Sequence, residues 1–202
     1  NDTELNDDLI RDALCYVNKQ IDEVIWYENP WAKKMRYLRS GQWPKIFSEK
    51  SPEKYLQQFG INKQVVLRSN HHLSHAAGSY FTSPYDNAAV VVIDAIGEMS
   101  TTTIYHAIGS DMRTIFEEKY PHSIGLFYSA VTQLCGLKPN EEEYILMGMA
   151  AYGDPNKTKA RLKNMLLENV PAPSFKTKVN MHRGIKRLIK EPLTDQERFD
   201  YA

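Results

Sequence analysis

The spacing of apolar and polar residues predicts a chain that alternates between helices and short strands. Apolar residues recur at helical spacing from Leu9 to Val17, directly after the acidic pair Asp7 and Asp8, whose charges favour a helix start. The same reading predicts later helices at residues 71–81, 124–135, 144–152 and 157–168, and a further one at about 184–190.

Runs rich in β-branched residues predict the strands. Two short ones, at residues 24–27 and 64–67, precede the His-rich helix. Three longer ones, at 88–94, 101–107 and 114–120, are separated by tight turns, which predicts an antiparallel meander because strands joined by hairpins cannot be parallel. The order predicts an α/β fold with a mixed sheet flanked by helices rather than a purely parallel sheet.

Residues 28–60 differ in composition, with three prolines, six aromatic residues and many lysines and arginines. They predict a small helical insertion, whose last helix begins at Ser51-Pro52-Glu53. Basic residues mixed with aromatic ones could bind nucleic acid, but ordinary helical surfaces have this mixture more often. We assign residues 1–170 to one partial domain, and residues 171–202 to a linker or the start of the next segment.

Composition excludes several classes of partner. The 202 residues include 25 basic and 25 acidic side chains, so the formal charge gives no reason to expect nucleic acid or a membrane surface as a partner. Apolar runs are too short for a membrane span, and no secretory signal opens the chain. The only two cysteines, Cys15 and Cys135, lie far apart, as expected of reduced thiols in a cytoplasmic protein. The first residue is Asn1, so we expect a piece of a longer protein.

Three histidines fall within five positions, at His71, His72 and His75. In a helix His71 and His75 are one turn apart on the same face, a spacing at which two imidazoles can share a metal ion. A carboxylate or substrate oxygens must then complete the metal's shell. The spacing is equally consistent with two surface histidines hydrogen-bonded to their neighbours.

Asp94 ends a strongly apolar strand, and Gly97 and the hydroxyls of residues 100–103 follow it. A carboxylate there is costly unless it is paired or faces solvent, and a glycine turn lets a phosphate approach backbone amides. An ordinary hairpin turn has the same residue pattern, so both interpretations stay open. Glu141, Glu142 and Glu143 are typical of a solvated helix start.

Taken together and in order, five segments resemble the carbamoyltransferase family that includes nodulation protein U and the antibiotic O-carbamoyltransferases. The resemblance covers roughly residues 8–155. Its motifs are Tyr27-Glu28-Asn29-Pro30-Trp31, the run from His71 to Ala77, the run from Val92 to Thr103, the run from Pro121 to Ala130, and the run from Glu143 to Gly153.

The resemblance implies an actin-like ATPase lobe of the ribonuclease H-like type, shared with the tRNA threonylcarbamoyl-adenosine enzyme. Its members make a carbamoyl-adenylate from ATP and carbamoyl phosphate, then pass the carbamoyl group to a hydroxyl of a small molecule. By the same resemblance, the site residues are two metal ligands, a carboxylate at the phosphate and carbamoyl site, a phosphate-binding turn and a ribose contact. They are His71 and His75 for a divalent metal, expected to be iron, Asp94 for the carboxylate, Gly97, Glu98, Ser100 and Thr101 for the turn, and Glu143 for the ribose.

This chain departs from the family pattern at three points. Ala95 stands where the family usually has glycine, and Ile145 stands where it usually has lysine. The family's opening His-Asp-Ser strand, a later metal-binding aspartate and a YrdC-like second domain are absent, so we expect the isolated chain to be inactive. The alternative is a non-catalytic or degenerate nucleotide- and metal-binding domain of the same fold. A tRNA-modifying relative is a third option, which would favour a more basic chain.

Overall fold

The computed structural model describes residues 6–17, 21–26, 29–41, 43–48, 51–62, 65–68, 70–189 and 192–202. The chain divides into two compact units, residues 1–75 and residues 76–202, and the boundary falls inside one helix. Within the described residues, no helix is both long enough and apolar enough to cross a membrane.

The first unit contains a parallel strand pair and short helices. Its strands β1 (Val24–Trp26) and β2 (Val65–Arg68) run in the same direction, and its small core contains Tyr55, Leu56 and Ile61. The described part of the predicted insertion contains three helices, the last of which begins at Pro52 with the Ser51 hydroxyl accepting from the Lys54 N–H. The elements are α1 (Asp7–Tyr16), β1 (Val24–Trp26), α2 (Pro30–Ser40), α3 (Trp43–Ser48), α4 (Pro52–Gln57) and β2 (Val65–Arg68).

The His-rich helix, α5, spans His71–Phe81, the bounds that the sequence predicts. It begins there because the Asn70 side-chain oxygen accepts from the backbone N–H of His72 at 3.0 Å and of Leu73 at 3.4 Å. An asparagine in this position satisfies amides that have no partner within the helix.

The second unit contains the predicted meander. Strands β3 (Asn87–Gly97), β4 (Ser100–Ile108) and β5 (Asp111–Lys119) form a three-stranded antiparallel sheet in that order. β3 alternates between buried positions, such as Val90 and Val92, and exposed ones, such as Val91 and Ile93. The α/β class with helices flanking an antiparallel sheet is therefore confirmed. The single mixed sheet that the sequence predicts is not seen among the described residues, where the parallel pair and the meander are separate sheets.

Among the described residues after the sheet there are four helices and three 3-10 turns. The first helix, α6 (Ile124–Leu134), packs on β3, and its residues Leu126, Ala130 and Val131 form the main core together with side chains from the later elements. The helices are α6 (Ile124–Leu134), α7 (Glu143–Met149), α8 (Pro155–Leu166) and α9 (Asp195–Tyr201), and the 3-10 turns are Ala150–Tyr152, Met181–Arg183 and Lys186–Leu188.

The C-terminal residues differ from the sequence prediction in one respect. Of the helix expected at about 184–190, whose last residue lies outside the described ones, only Lys186–Leu188 forms a 3-10 turn. The backbone is not helical on either side of this turn, at Gly184 with φ of 69° and at the extended Ile189. Met181, Ile185 and Tyr201 are nevertheless buried in the main core. The assignment of residues 171–202 to a linker stays a prediction, but these three side chains pack as core residues do.

The Asp200 side chain links α9 to the start of α8 through hydrogen bonds. Its carboxylate accepts from the Asp154 N–H at 2.9 Å and from Lys157 Nζ at 3.2 Å. The Asp154 hydrogen bond lowers the pKa of Asp200, and although burial opposes this, hydrogen bonds from Lys157 and Gln196 reinforce it.

A lowered folded-state pKa means that Asp200 stabilises the fold above its ordinary pKa, and that this contribution is lost as the pH falls through the lowered value. We expect Asp200→Asn to lower the urea midpoint clearly at about pH 6. The difference from the wild type should shrink as the pH falls through the lowered pKa of Asp200, because the wild-type carboxyl then becomes protonated itself. A difference that stays constant over this range would contradict the role given to the charge.

Candidate functional site

The paired imidazoles are the clearest ligand-type arrangement in the first unit. His71 Nε2 and His75 Nε2 lie 3.0 Å apart on consecutive turns of α5, with ring centroids 4.7 Å apart. His71 is half-buried and His75 is exposed, whereas the ring of His72 is fully buried. The two rings can share a proton in a hydrogen bond or share a metal ion, so both alternatives from the sequence remain open.

Asp94 lies near the carboxyl end of β3, as predicted, and is half-buried. One of its side-chain oxygens, Oδ1, accepts from the N–H of Ala95 at 2.7 Å. This contact fixes the orientation of the carboxylate relative to its own backbone. An oriented, half-buried carboxylate can accept a hydrogen bond from a substrate or bind a cation.

The segment after Asp94 is a two-residue hairpin turn. Gly97 pairs with Ser100, and Glu98 between them adopts φ of 58°, in the left-handed region where glycine is usual. Two of the hydroxyls predicted to face a phosphate have internal partners: Ser100 donates to Glu117, and the buried Thr101 donates to the backbone oxygens of Glu118 and His122. The turn is therefore a hairpin, and its role in binding phosphate stays a prediction.

Glu143 is the first residue of α7, and the surrounding chain holds its carboxylate in place. Oε1 accepts from the Asn140 N–H at 2.6 Å and from the Ser129 hydroxyl at 2.9 Å. Burial raises the pKa of Glu143, but hydrogen bonds from the backbone N–H groups of Asn140 and Glu143 and from Ser129 outweigh it, so the net pKa is lowered. The side chain is thus kept as an anion that can accept from a sugar hydroxyl.

Two residues that support Asp94 are absent from the sequence-derived site. The Ser123 hydroxyl caps α6 by accepting from the Leu126 N–H, and it donates to the Ala95 carbonyl at 2.8 Å. Gly125 lies so close to this strand end that a Cβ there would be 2.8 Å from the backbone N and Cα of Ala95. Both residues fall in the run from Pro121 to Ala130 that carries the family resemblance, but no local signal reveals that they contact the end of β3.

Within the second unit, the structure brings most of the predicted residues onto connected elements. Asp94, Gly97, Ser100 and Thr101 belong to one hairpin, and α6 contacts both β3 of this hairpin and α7, which begins at Glu143. The fold thus provides one continuous framework for the carboxylate, the turn and the second acidic residue.

Comparison with known proteins agrees with this pattern of motifs. Residues 13–191 match the family described as Carbamoyltransferase N-terminus. An uncharacterized protein of Synechocystis sp., sll1178, is 34% identical over 170 residues, which cover 73% of this chain and 28% of that protein.

Two further relatives are named nodulation proteins. NolNO of Sinorhizobium fredii is 28% identical over 101 residues, covering 49% of this chain and 15% of that protein. NolO of Bradyrhizobium diazoefficiens is 30% identical over 90 residues, covering 44% of this chain and 16% of that protein. The matched regions are thus a small part of each relative. Because the family match extends over most of its residues, the chain belongs to the carbamoyltransferase family, in which it corresponds to the N-terminal region.

Proposed function

We propose that this chain is the nucleotide- and metal-binding part of an O-carbamoyltransferase, which forms a carbamoyl-adenylate from ATP and carbamoyl phosphate and transfers the carbamoyl group to a hydroxyl of a small molecule. The observation that carries the proposal is the family match over residues 13–191. The ordered Asp94 hairpin and the His71–His75 pair support it. We further propose an actin-like ATPase topology, with which the antiparallel meander followed by α6 is compatible.

The histidine pair fits a divalent metal by its geometry. Metal–nitrogen bonds of about 2.1 Å at right angles put two ligand nitrogens about 3 Å apart. The two Nε2 atoms are 3.0 Å apart without any rearrangement of α5. We expect iron as the metal, with a carboxylate or substrate oxygens completing the coordination that two imidazoles leave open. The metal would supply positive charge that offsets the charge of the phosphate oxygens.

The protein's own groups have separate roles in the proposal. Asp94, oriented by the Ala95 N–H, stands at the phosphate and carbamoyl site, and the Gly97–Thr101 turn offers backbone amides to phosphate oxygens. Glu143, held ionised by Asn140 and Ser129, accepts from a ribose hydroxyl. In this proposal none of these side chains forms a covalent bond to a substrate. Their contribution is to bind and orient the substrates.

The alternative function is a domain that binds nucleotide or metal without turnover. Ala95 replaces a glycine of the family pattern, which restricts the backbone next to Asp94. Ile145 replaces a lysine, which removes a cation from the start of α7. Metal binding alone does not separate the two functions, because both retain the ligands, so turnover must be measured as well.

The first experiment is anaerobic loading of the purified chain with Fe²⁺, followed by measurement of bound metal. We expect one equivalent of iron per chain in the wild type. In His71→Ala and in His75→Ala we expect the iron affinity to be at least about tenfold weaker, because losing a metal ligand costs at least as much affinity as losing a residue that orients a ligand. His106→Ala is the matched control, because His106 bonds Asn87 on the sheet. Equal metal content in all four proteins would contradict the site.

Turnover is tested in a full-length protein that contains this region. Formation of a carbamoyl-adenylate must release pyrophosphate from ATP and inorganic phosphate from carbamoyl phosphate. We expect both products only when both substrates are present. Metal binding without either product would favour the non-catalytic alternative.

A further inference from the structure

A cavity in the second unit has no residue of the Asp94 hairpin in its lining. It is an open cleft lined by residues of α6, α7, α8 and the end of α9, and its walls include Phe127, Val131, Leu146 and Leu162. Its volume of about 340 Å³ is in the range of clefts that hold small organic molecules. The walls are therefore mostly apolar and of a size that suits a compact ligand.

Positive charge lies at one rim of this cavity. Lys159 and Lys163 both line it, are exposed, and lie one turn apart on the same face of α8. Among the described lining residues the one acidic side chain is Asp200, and its carboxylate already accepts from the Asp154 N–H and Lys157. The charge that these lining residues offer to a ligand is consequently positive.

Tyr201 adds aromatic surface to the same wall. The side chain is 4% exposed and lines the cavity, whereas its hydroxyl is buried and inaccessible to solvent. The part of Tyr201 that a ligand can contact is therefore its ring. An apolar cleft with few polar groups at defined points is the usual composition of a small-molecule site.

From these features we infer that the cavity binds a small amphipathic anion, whose aromatic or short acyl body lies between α6 and α8 and whose acidic group lies between Lys159 and Lys163. The charge complementarity at the rim selects an anion over a neutral apolar molecule. The inference does not depend on carbamoyl transfer, because none of these residues belongs to the proposed metal or nucleotide site.

The test uses the fluorescent anion anilinonaphthalene sulfonate and its uncharged analogue phenylnaphthylamine. The folded chain should bind the anion saturably at one site and more tightly than the neutral analogue. In the double variant Lys159→Gln/Lys163→Gln the affinity for the anion should fall at least about fivefold, since each exposed charge contributes modestly. The affinity for the neutral analogue should stay unchanged. Lys186→Gln, an exposed lysine on another element, is the control and should bind both probes as the wild type does.

Three outcomes would overturn the inference. The first is an unchanged affinity of the double variant for the anion. The second is an equal loss of both probes in a double variant whose circular dichroism matches that of the wild type, because the two lysines would then not select for the charge. The third is a concentration-dependent dimer in sedimentation velocity that the anion does not dissociate, because a second copy would then occupy the cleft.

Discussion

Replacing Gly153 with alanine is expected to destabilise the second unit by about 3 kcal/mol, at the upper end of the usual cost of overpacking. A Cβ at this position would lie 1.9 Å from the Phe199 carbonyl oxygen and 2.4 Å from its carbon. Both atoms belong to the backbone of α9, so the clash cannot be relieved by a rotamer change. The helix would have to move, and with it the Asp200 carboxylate that bonds the Asp154 N–H.

Urea unfolding followed by circular dichroism measures this effect. Gly148→Ala is the matched control, because a Cβ at Gly148 in α7 meets nothing within 4 Å. That substitution should stabilise the chain by about 0.5–1 kcal/mol, the helix-propensity difference between glycine and alanine. Similar midpoints for the two alanine variants would show that the contact between Gly153 and α9 is looser than described.

The second large effect is expected from Gly125→Ala, which should cost about 2 kcal/mol and displace the end of β3. The added Cβ would be 2.8 Å from Ala95 N and Cα and 3.0 Å from the Asp94 carbonyl carbon. α6 must therefore retreat from the strand, which lengthens the hydrogen bond between Ser123 and the Ala95 carbonyl. The expected consequence is a less ordered carboxylate at Asp94.

Hydrogen exchange of the backbone amides near Ala95 separates this local effect from general destabilisation. Under conditions where the variant remains folded, amides near Ala95 should exchange faster in Gly125→Ala, and those in the middle of α8 should exchange as before. Gly148→Ala should leave both regions unchanged. Uniformly faster exchange along the chain would mean that Gly125 affects only global stability.

The elements that sequence reasoning located correctly are those with strong local signals. The bounds of α5 follow from helical spacing together with Asn70, whose side chain caps the helix one residue before His71. The meander follows from the period-two pattern of residues such as Val90 and Val92 in β3. In both cases the information lies within a few residues of the element itself.

What the sequence did not reveal depends on contacts between distant residues. The Ser100 and Thr101 hydroxyls bond groups 17 and 21 residues further along the chain, so their availability to a ligand cannot be judged from the turn alone. Met181 and Ile185 are buried although the segment around them has no clear periodicity. They are fixed by the core that α6 and α8 already form, which is a tertiary effect.

The outer side of β3 has a practical consequence for work with this chain. β3 forms one edge of the three-stranded sheet and exposes Val91 and Ile93 by 55% and 54%. A long edge strand with apolar outward side chains is a template for pairing between molecules, the first step of sheet-type aggregation. Samples for biophysics are therefore best kept dilute, and a lysine in place of Val91 is a rational solubilising change.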